Sequence, residues 1–267
     1  MPELPEVETI ARGLDRPLRN RIVAAIDVRW HRTIDPRSLP IEALAGDRIS
    51  SVGRVGKFLI IRFASGRALA VHLRMTGRLM IRRAGAALDH ERVAIVFRDG
   101  DRLAFDDARK FGRFRLVDGD PAAVLDVGVD ALSPSLDDAS FGATLRKRKT
   151  PIKVLLLDQR RLAGVGNIYA CEALFRAGIR PTRRSGALTA DQRKKLLRAL
   201  RTVLEKAIER RGSSVDDYVD AEGLPGTFQK SLYVYGRAGL PCRRCKTPIK
   251  RIVLAQRGTF FCPACQQ

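Results

Sequence analysis

The sequence predicts an α+β chain of several domains: an N-terminal helix plus a β-sandwich or barrel, then a helical region, then a zinc-ribbon β-hairpin. Three observations carry this reading. Short apolar runs separated by turn residues fill 21–117, helical periodicity takes over beyond about 138, and four cysteines near the end form two Cys-x2-Cys pairs. The expected division is 1–118 for the β-rich domain, 119–138 for a linker rich in Asp, Gly, Pro and Ser, 139–232 for the helices and 233–267 for the zinc module.

Each element has its local reason. Val7, Ile10, Leu14 and Leu18 recur at helical spacing, giving an amphipathic helix over about 5–18. RIVAAIDVR, KFLIIRF, ALAVHLRM, RLMIRR, RVAIVFR, RLAFDD and GRFRLV read as strands, set apart by turns such as Ala64-Ser65-Gly66, Thr76-Gly77 and Asp99-Gly100. Thr150-Pro151 reads as an N-cap with proline at the first helical position, opening a helix through Leu157. A second helix starts near Asn167 and stops at Gly178. A third spans Thr189 to Arg211, with a Thr189/Gln192 capping box, a stripe of Leu196, Leu200, Val203, Leu204 and Ile208, and Gly212 as its stop. Residues 213–228 are polar and glycine-bearing, and read as a mobile loop.

Composition narrows the function class. The chain has 267 residues, a formal net charge of +21 and 45% hydrophobic residues, so a folded core carries a large cationic surplus. The longest apolar runs, such as Val154–Leu157, are far too short to cross a membrane, and MPELPEVETI lacks the basic-then-apolar layout of a secretory signal. A cytoplasmic, polyanion-binding protein is expected, without a membrane. The basic charge is clustered: 233–267 contain seven Lys or Arg and no acidic residue, and Arg146-Lys147-Arg148-Lys149 precede Lys153. Aromatic residues make up only 6%, which disfavours stacking platforms for single strands and points to duplex DNA.

Cys242, Cys245, Cys262 and Cys265 have the spacing of two zinc knuckles supplying four thiolates to one Zn2+. Cys171 sits in the apolar stretch YACEALF and reads as a small buried side chain. At the other end, loss of Met1 would expose the secondary α-amine of Pro2. An α-amine has a pKa near 7.7–8.0 against about 10.4 for lysine, on the order of 10²-fold more free base at pH 7. Such an amine attacks an aldehyde-like sugar carbon and yields a cationic iminium, with Glu3 and Glu6 close by as proton carriers. The plainer alternative is that Pro2 merely permits Met1 removal and Glu3 favours the helix N-terminus.

MPELPEVETI, HLRMTG, DARKFG, KTPIK, GVGNIYACEALFRAGI, PGTF, VYGR and AQRGTFFCPAC together resemble the bacterial formamidopyrimidine-DNA glycosylases, in order from Met1 to Gln267. The resemblance implies a bifunctional glycosylase/AP lyase of base excision repair. It would flip out and excise 8-oxoguanine and formamidopyrimidines through a Schiff base, then cut the strand by β,δ-elimination. By motif it places Pro2 as nucleophile, Glu3 as the acid aiding ring opening, Lys57 as the acid of β-elimination and Arg257 at the hairpin tip for δ-elimination. From residue type alone, Lys57 reads as a surface cation at a strand end. Met75, Arg109 and Phe111 would fill the stack vacated by the flipped base; by type Met75 and Phe111 read as core, yet Thr76-Gly77 and Phe111-Gly112 place both beside turns, where side chains can project outward. His90, Arg109, Arg148, Lys153, Asn167 and Tyr235 would contact DNA, with Gly164 and Gly166 opening a helix–two-turn–helix to an anion. The implied partners are damaged double-stranded DNA and one structural zinc ion, for a monomer working at the bacterial nucleoid. The acidic residues Asp216, Asp217, Asp220 and Glu222 in the loop are expected to weaken its contact with DNA.

Two alternatives stand beside this. An endonuclease VIII-like glycosylase for oxidised pyrimidines shares most motifs, but Leu4 and the Met75–Arg109–Phe111 set favour the purine enzyme. A non-catalytic zinc-ribbon DNA binder predicts the same charge and zinc, with no use for Pro2 and Glu3.

Overall fold

The computed structural model describes every residue except 86–87, 147 and 216–217. The chain forms two compact units, one of residues 1–126 with 210–229, the other of 127–209 with 230–267.

In the first unit, α1 (Leu4–Leu18) buries Leu4, Val7, Ile10, Ala11, Leu14 and Leu18, as the spacing requires. It is tied at its C-terminal end, where Asp15 accepts a 2.7 Å hydrogen bond from the Val52 amide. The two hydrogen-bonded sheets are both antiparallel and four-stranded. One has the order β1 (Val23–Val28), β6 (Glu91–Phe97), β7 (Arg102–Asp106), β5 (Arg78–Arg82); the other runs β2 (Ile49–Val55), β3 (Phe58–Phe63), β4 (Arg67–His72), β8 (Arg113–Asp118). Their inward side chains, among them Leu59, Ile61, Leu69, Phe97, Phe105 and Phe114, share one core with α1, a β-sandwich. Seven of these strands match the sequence expectation. The eighth, β2, carries Ser50, Ser51 and Gly53, which hide its pattern; pairing with β3 and the Asp15 contact hold it in the sheet.

The segment 119–138, expected as a linker, is folded in part. Asp120 caps the short α2 (Pro121–Val124) in the first unit, and in the second β9 (Val129–Asp130) pairs in parallel with β10 (Leu162–Ala163). Its turn-forming residues are caps and corners rather than a flexible tether. Residues 210–229, grouped with the helices by sequence, pack with the first unit.

In the second unit, α3 (Asp138–Leu145) is capped by Asp137, which accepts from Ser140 at 2.8 Å. α4 (Ile152–Leu156) starts one residue later than expected: Pro151 is the cap, not the first helical residue, because its backbone bridges to Arg184. α5 (Asn167–Ala177) ends at Gly178 with φ +72°, a left-handed cap. α6 (Ala190–Glu209) opens with the expected capping box, in which the Thr189 amide donates to Gln192 at 3.0 Å and the Gln192 amide to Thr189 at 3.2 Å. β11 (Lys250–Leu254) and β12 (Arg257–Phe261) form the terminal hairpin.

Candidate active site and nucleic-acid interface

In the first unit the N-terminus is packed in, not trailing. Pro2 is buried, and Glu3 and Glu6 are 4% and 2% exposed. One oxygen of Glu6 accepts the Glu3 amide at 2.8 Å, and the other accepts the Ser213 amide, also at 2.8 Å. Glu6, expected to help carry protons, is thus committed to holding Glu3 against 212–213. Gly212 has φ +81°, and a Cβ there would lie 2.8 Å from the Glu6 carboxylate, so the approach demands glycine. The Tyr218 hydroxyl donates to the Glu6 carbonyl at 3.4 Å, and burial, reinforced by Glu6, pushes its pKa up, keeping it a neutral donor.

Residues 213–228, expected as a mobile loop, are cross-braced where described: Ser214 donates to the Tyr218 carbonyl and Gly226 to Ser214, while Arg211 pairs with both Asp220 and Glu222 at 2.8 Å. One guanidinium thus offsets part of the negative charge that Asp220 and Glu222 bring to the segment. Asp216 and Asp217 lie outside the described residues.

Lys57 is not a surface cation. It occupies the tight turn between β2 and β3 and is 6% exposed. Near it lies His72, a residue the sequence reading passes over. It ends β4, packs edge-on to Phe58 with ring centroids 4.8 Å apart, and accepts the Arg74 amide at Nδ1 (3.1 Å). Burial first, then the charges of Arg74 and Lys57, push its pKa down to about 3. The ring is neutral at working pH, with its proton on Nε2. The signal in the sequence is a histidine closing an apolar strand in HLRMTG.

Met75 and Phe111, which residue type alone assigns to the core, are 44% and 46% exposed. Met75 stands on the turn after β4 and Phe111 on the loop between β7 and β8, where the Arg109 guanidinium lies 4.9 Å from the Phe111 ring centre. The Arg109–Phe111 pair has cation–π geometry, and both apolar side chains are left open to solvent. His90 is exposed on the neighbouring connection, its amide donating to Asp106.

In the second unit Asn167 opens α5, and its side chain is tied on both sides. Its Oδ1 accepts from Lys153 Nζ at 2.6 Å, while its amide nitrogen donates to the Gly258 carbonyl at 3.0 Å. Lys153, expected at a phosphate, is fully buried and also donates to Thr259 Oγ1 (2.7 Å) and the Gly258 carbonyl (3.2 Å). Its ammonium donates to three neutral acceptors, one on Asn167 and two on β12. Gly164 has φ +97°, a backbone that L side chains rarely adopt. Arg257 is exposed beside the two-residue hairpin turn Ala255-Gln256, at the tip as expected, and Arg148 is exposed. Tyr235 is half-buried with its ring edge-on to Phe260 at 5.1 Å. Glu172, another residue the sequence reading misses, accepts the amides of Tyr233, Val234 and Tyr235, each at 2.9 Å. Burial pushes its pKa up against those three donors.

The four sulfurs of Cys242, Cys245, Cys262 and Cys265 lie within 4.8 Å of one another. A tetrahedron with bonds of about 2.3 Å spaces sulfurs at about 3.8 Å, so the set fits zinc. The Arg244 and Cys265 amides each point at a knuckle sulfur at 3.4 Å, as thiolate ligands require. Cys171, Phe175, Val234 and Ile249 pack around Cys242 and Cys262.

These features define a class: a basic, zinc-bearing DNA-directed protein whose β-sandwich packs an N-terminal proline and acid into its fold. Family models agree. Residues 1–114 match the formamidopyrimidine-DNA glycosylase N-terminal domain, 127–219 its H2TH domain, and 239–267 a zinc finger found in FPG and IleRS. The formamidopyrimidine-DNA glycosylase of Chloroflexus aggregans is 48% identical over 271 residues, spanning 100% of this chain and 98% of that one. The crystal structure of MutM (Fpg) from Thermus thermophilus superposes with a TM-score of 0.89 at 42% identity, covering 99% and 98% of the two chains. Lactococcus lactis Fpg in complex with DNA containing an abasic site gives 0.90 at 34%, covering 99% of each. The chain belongs to the formamidopyrimidine-DNA glycosylase family.

Proposed function

We infer that this chain is a bifunctional DNA glycosylase/AP lyase that removes oxidised purines from duplex DNA in base excision repair. The observation that carries the reading is the buried Pro2–Glu3 terminus, held by Glu6 against Ser213. No DNA binder needs that arrangement, whereas a nucleophile at a fixed place does.

With Met1 attached the Pro2 nitrogen is an amide; removal of Met1 makes it a secondary amine. Its lone pair attacks C1′ of the flipped nucleotide, and the bond from C1′ to the base breaks. The base leaves with a proton, and the sugar ring opens as Glu3 protonates the ring oxygen. The resulting iminium withdraws electrons, so loss of a C2′ proton expels the 3′-phosphate; a second elimination expels the 5′-phosphate, and water returns the amine. Lys57 serves the first elimination and Arg257 the second. Met75, Arg109 and Phe111 fill the vacated stack, offsetting an unstacking cost of a few kcal/mol. His90, Arg148, Asn167 and Tyr235 contact the backbone, and Lys153 supports Asn167. Zinc, bound by the four cysteines, supplies folding energy to the ribbon. The protein acts as a monomer in the cytoplasm, at the nucleoid.

Borohydride added during turnover on an 8-oxoguanine duplex tests this. A covalent enzyme–DNA product is expected from protein lacking Met1, and its absence would reject the iminium.

A further inference from the structure

The three proposed stack-filling residues come from two separate loops, and one buried side chain joins those loops. Asp107 is 1% exposed. One of its carboxylate oxygens accepts the hydroxyl of Thr76, the neighbour of Met75; the other accepts the Gly112 amide, next to Phe111, at 2.8 Å. The Asp107 carbonyl in turn accepts Arg92 Nε at 2.9 Å and the Lys110 amide at 3.3 Å. Beneath both loops lies the fully buried ring of Phe105. A Cβ on Gly77 would lie 2.7 Å from that ring, and one on Gly112 would lie 2.2 Å from it, so both loops close onto the same aromatic ring. The loop backbones are bent to match, with Arg74 at φ +57° and Lys110 at φ +60°.

We propose that Asp107 is a positioning residue that clasps the Met75 turn to the Arg109–Phe111 loop through Thr76 and Gly112, so that the three side chains enter the DNA stack as one rigid wedge. A carboxylate fits this task because it accepts from both loops at once without donating. Without the clasp, each loop samples its own conformations, and ordering them falls to the binding step. The inference rests on the stack-filling reading of Met75 and Phe111, and it assigns Asp107 no contact with DNA or with the reacting atoms.

Single-turnover excision of 8-oxoguanine from duplex tests it, alongside cleavage of a single-stranded abasic oligonucleotide, where no opposing stack has to be filled. D107A and T76V are expected to slow duplex excision by about tenfold to a hundredfold, the scale of losing charge-assisted hydrogen bonds. Cleavage of the single strand should stay within about twofold, and T76S should restore duplex excision, because serine keeps the hydroxyl. In a double-mutant cycle D107A and M75A should be strongly non-additive. If D107A and T76V slow both substrates equally, or leave duplex excision unchanged while M75A and F111A slow it, the clasp is wrong. If M75A and F111A themselves leave duplex excision unchanged, the stack-filling reading beneath it is what fails.

Discussion

Lys153→Met separates two roles that look alike in sequence. The substitution keeps the stem and removes the charge. In the structure Lys153 is fully buried, with acceptors at 2.6, 2.7 and 3.2 Å on Asn167, Thr259 and Gly258. Hydrogen bonds from a charged donor contribute about 1.5–3 kcal/mol each, and the desolvation of a buried ammonium offsets much of the sum. The net loss expected is about 2–4 kcal/mol, seen as a lower denaturant midpoint. DNA affinity should also fall, because Asn167 loses the group that aims it. The discriminating quantity is the slope of log K against log salt. A phosphate contact contributes about 0.9 to that slope, so the exposed Arg148→Ala should reduce it by about that amount and Lys153→Met should leave it unchanged. A slope reduced by about 0.9 in Lys153→Met, with stability intact, would refute the buried, positioning role.

Other expectations follow from the same geometry. His72 has a folded pKa of about 3, below the ordinary histidine value near 6.5, so the unfolded chain takes up the proton first as pH falls. Stability is therefore lost on acidification through that window, about 2 kcal/mol of it between pH 7 and pH 5, and denaturation midpoints of His72→Phe should lack this component. Gly212→Ala forces a Cβ to within 2.8 Å of Glu6 at φ +81°, so it should cost about 1–3 kcal/mol and lower the yield of borohydride-trapped complex; a wild-type yield would contradict the role given to the Glu6–Ser213 tie. Cys262→Ser should lower zinc content and DNA affinity together, measured by metal analysis and binding titration; unchanged affinity with zinc lost would remove the ribbon from the binding surface.

What is legible in the sequence is whatever has a local cause. Val7, Ile10, Leu14 and Leu18 mark one helix face, the Thr189/Gln192 pair marks a helix start, and the two Cys-x2-Cys pairs mark a metal site. β2 is hidden because Ser51 and Gly53 break its pattern, and its pairing with β3 supplies what propensity does not. The burial of Lys153 is hidden because a lysine in a basic run reads as solvated; only the fold shows that α5 and β12 converge on it. Glu6, Asp107 and Glu172 are ordinary acidic residues by type, and their partners lie 207, 31 and 61 residues away in the case of Ser213, Thr76 and Tyr233. Met75 and Phe111 are misplaced on residue type, since methionine and phenylalanine are usually inside; the turns at Thr76-Gly77 and Phe111-Gly112 are the local signal for their exposure.

The central claim is that the chain's own first amine, once Met1 is gone, bonds to deoxyribose during turnover. Mass-spectrometric peptide mapping of the borohydride-reduced enzyme–oligonucleotide conjugate measures it directly. The account predicts the oligonucleotide remnant on the nitrogen of Pro2 in an N-terminal peptide that lacks Met1. A remnant on Lys57, or on any other internal side chain, would contradict it.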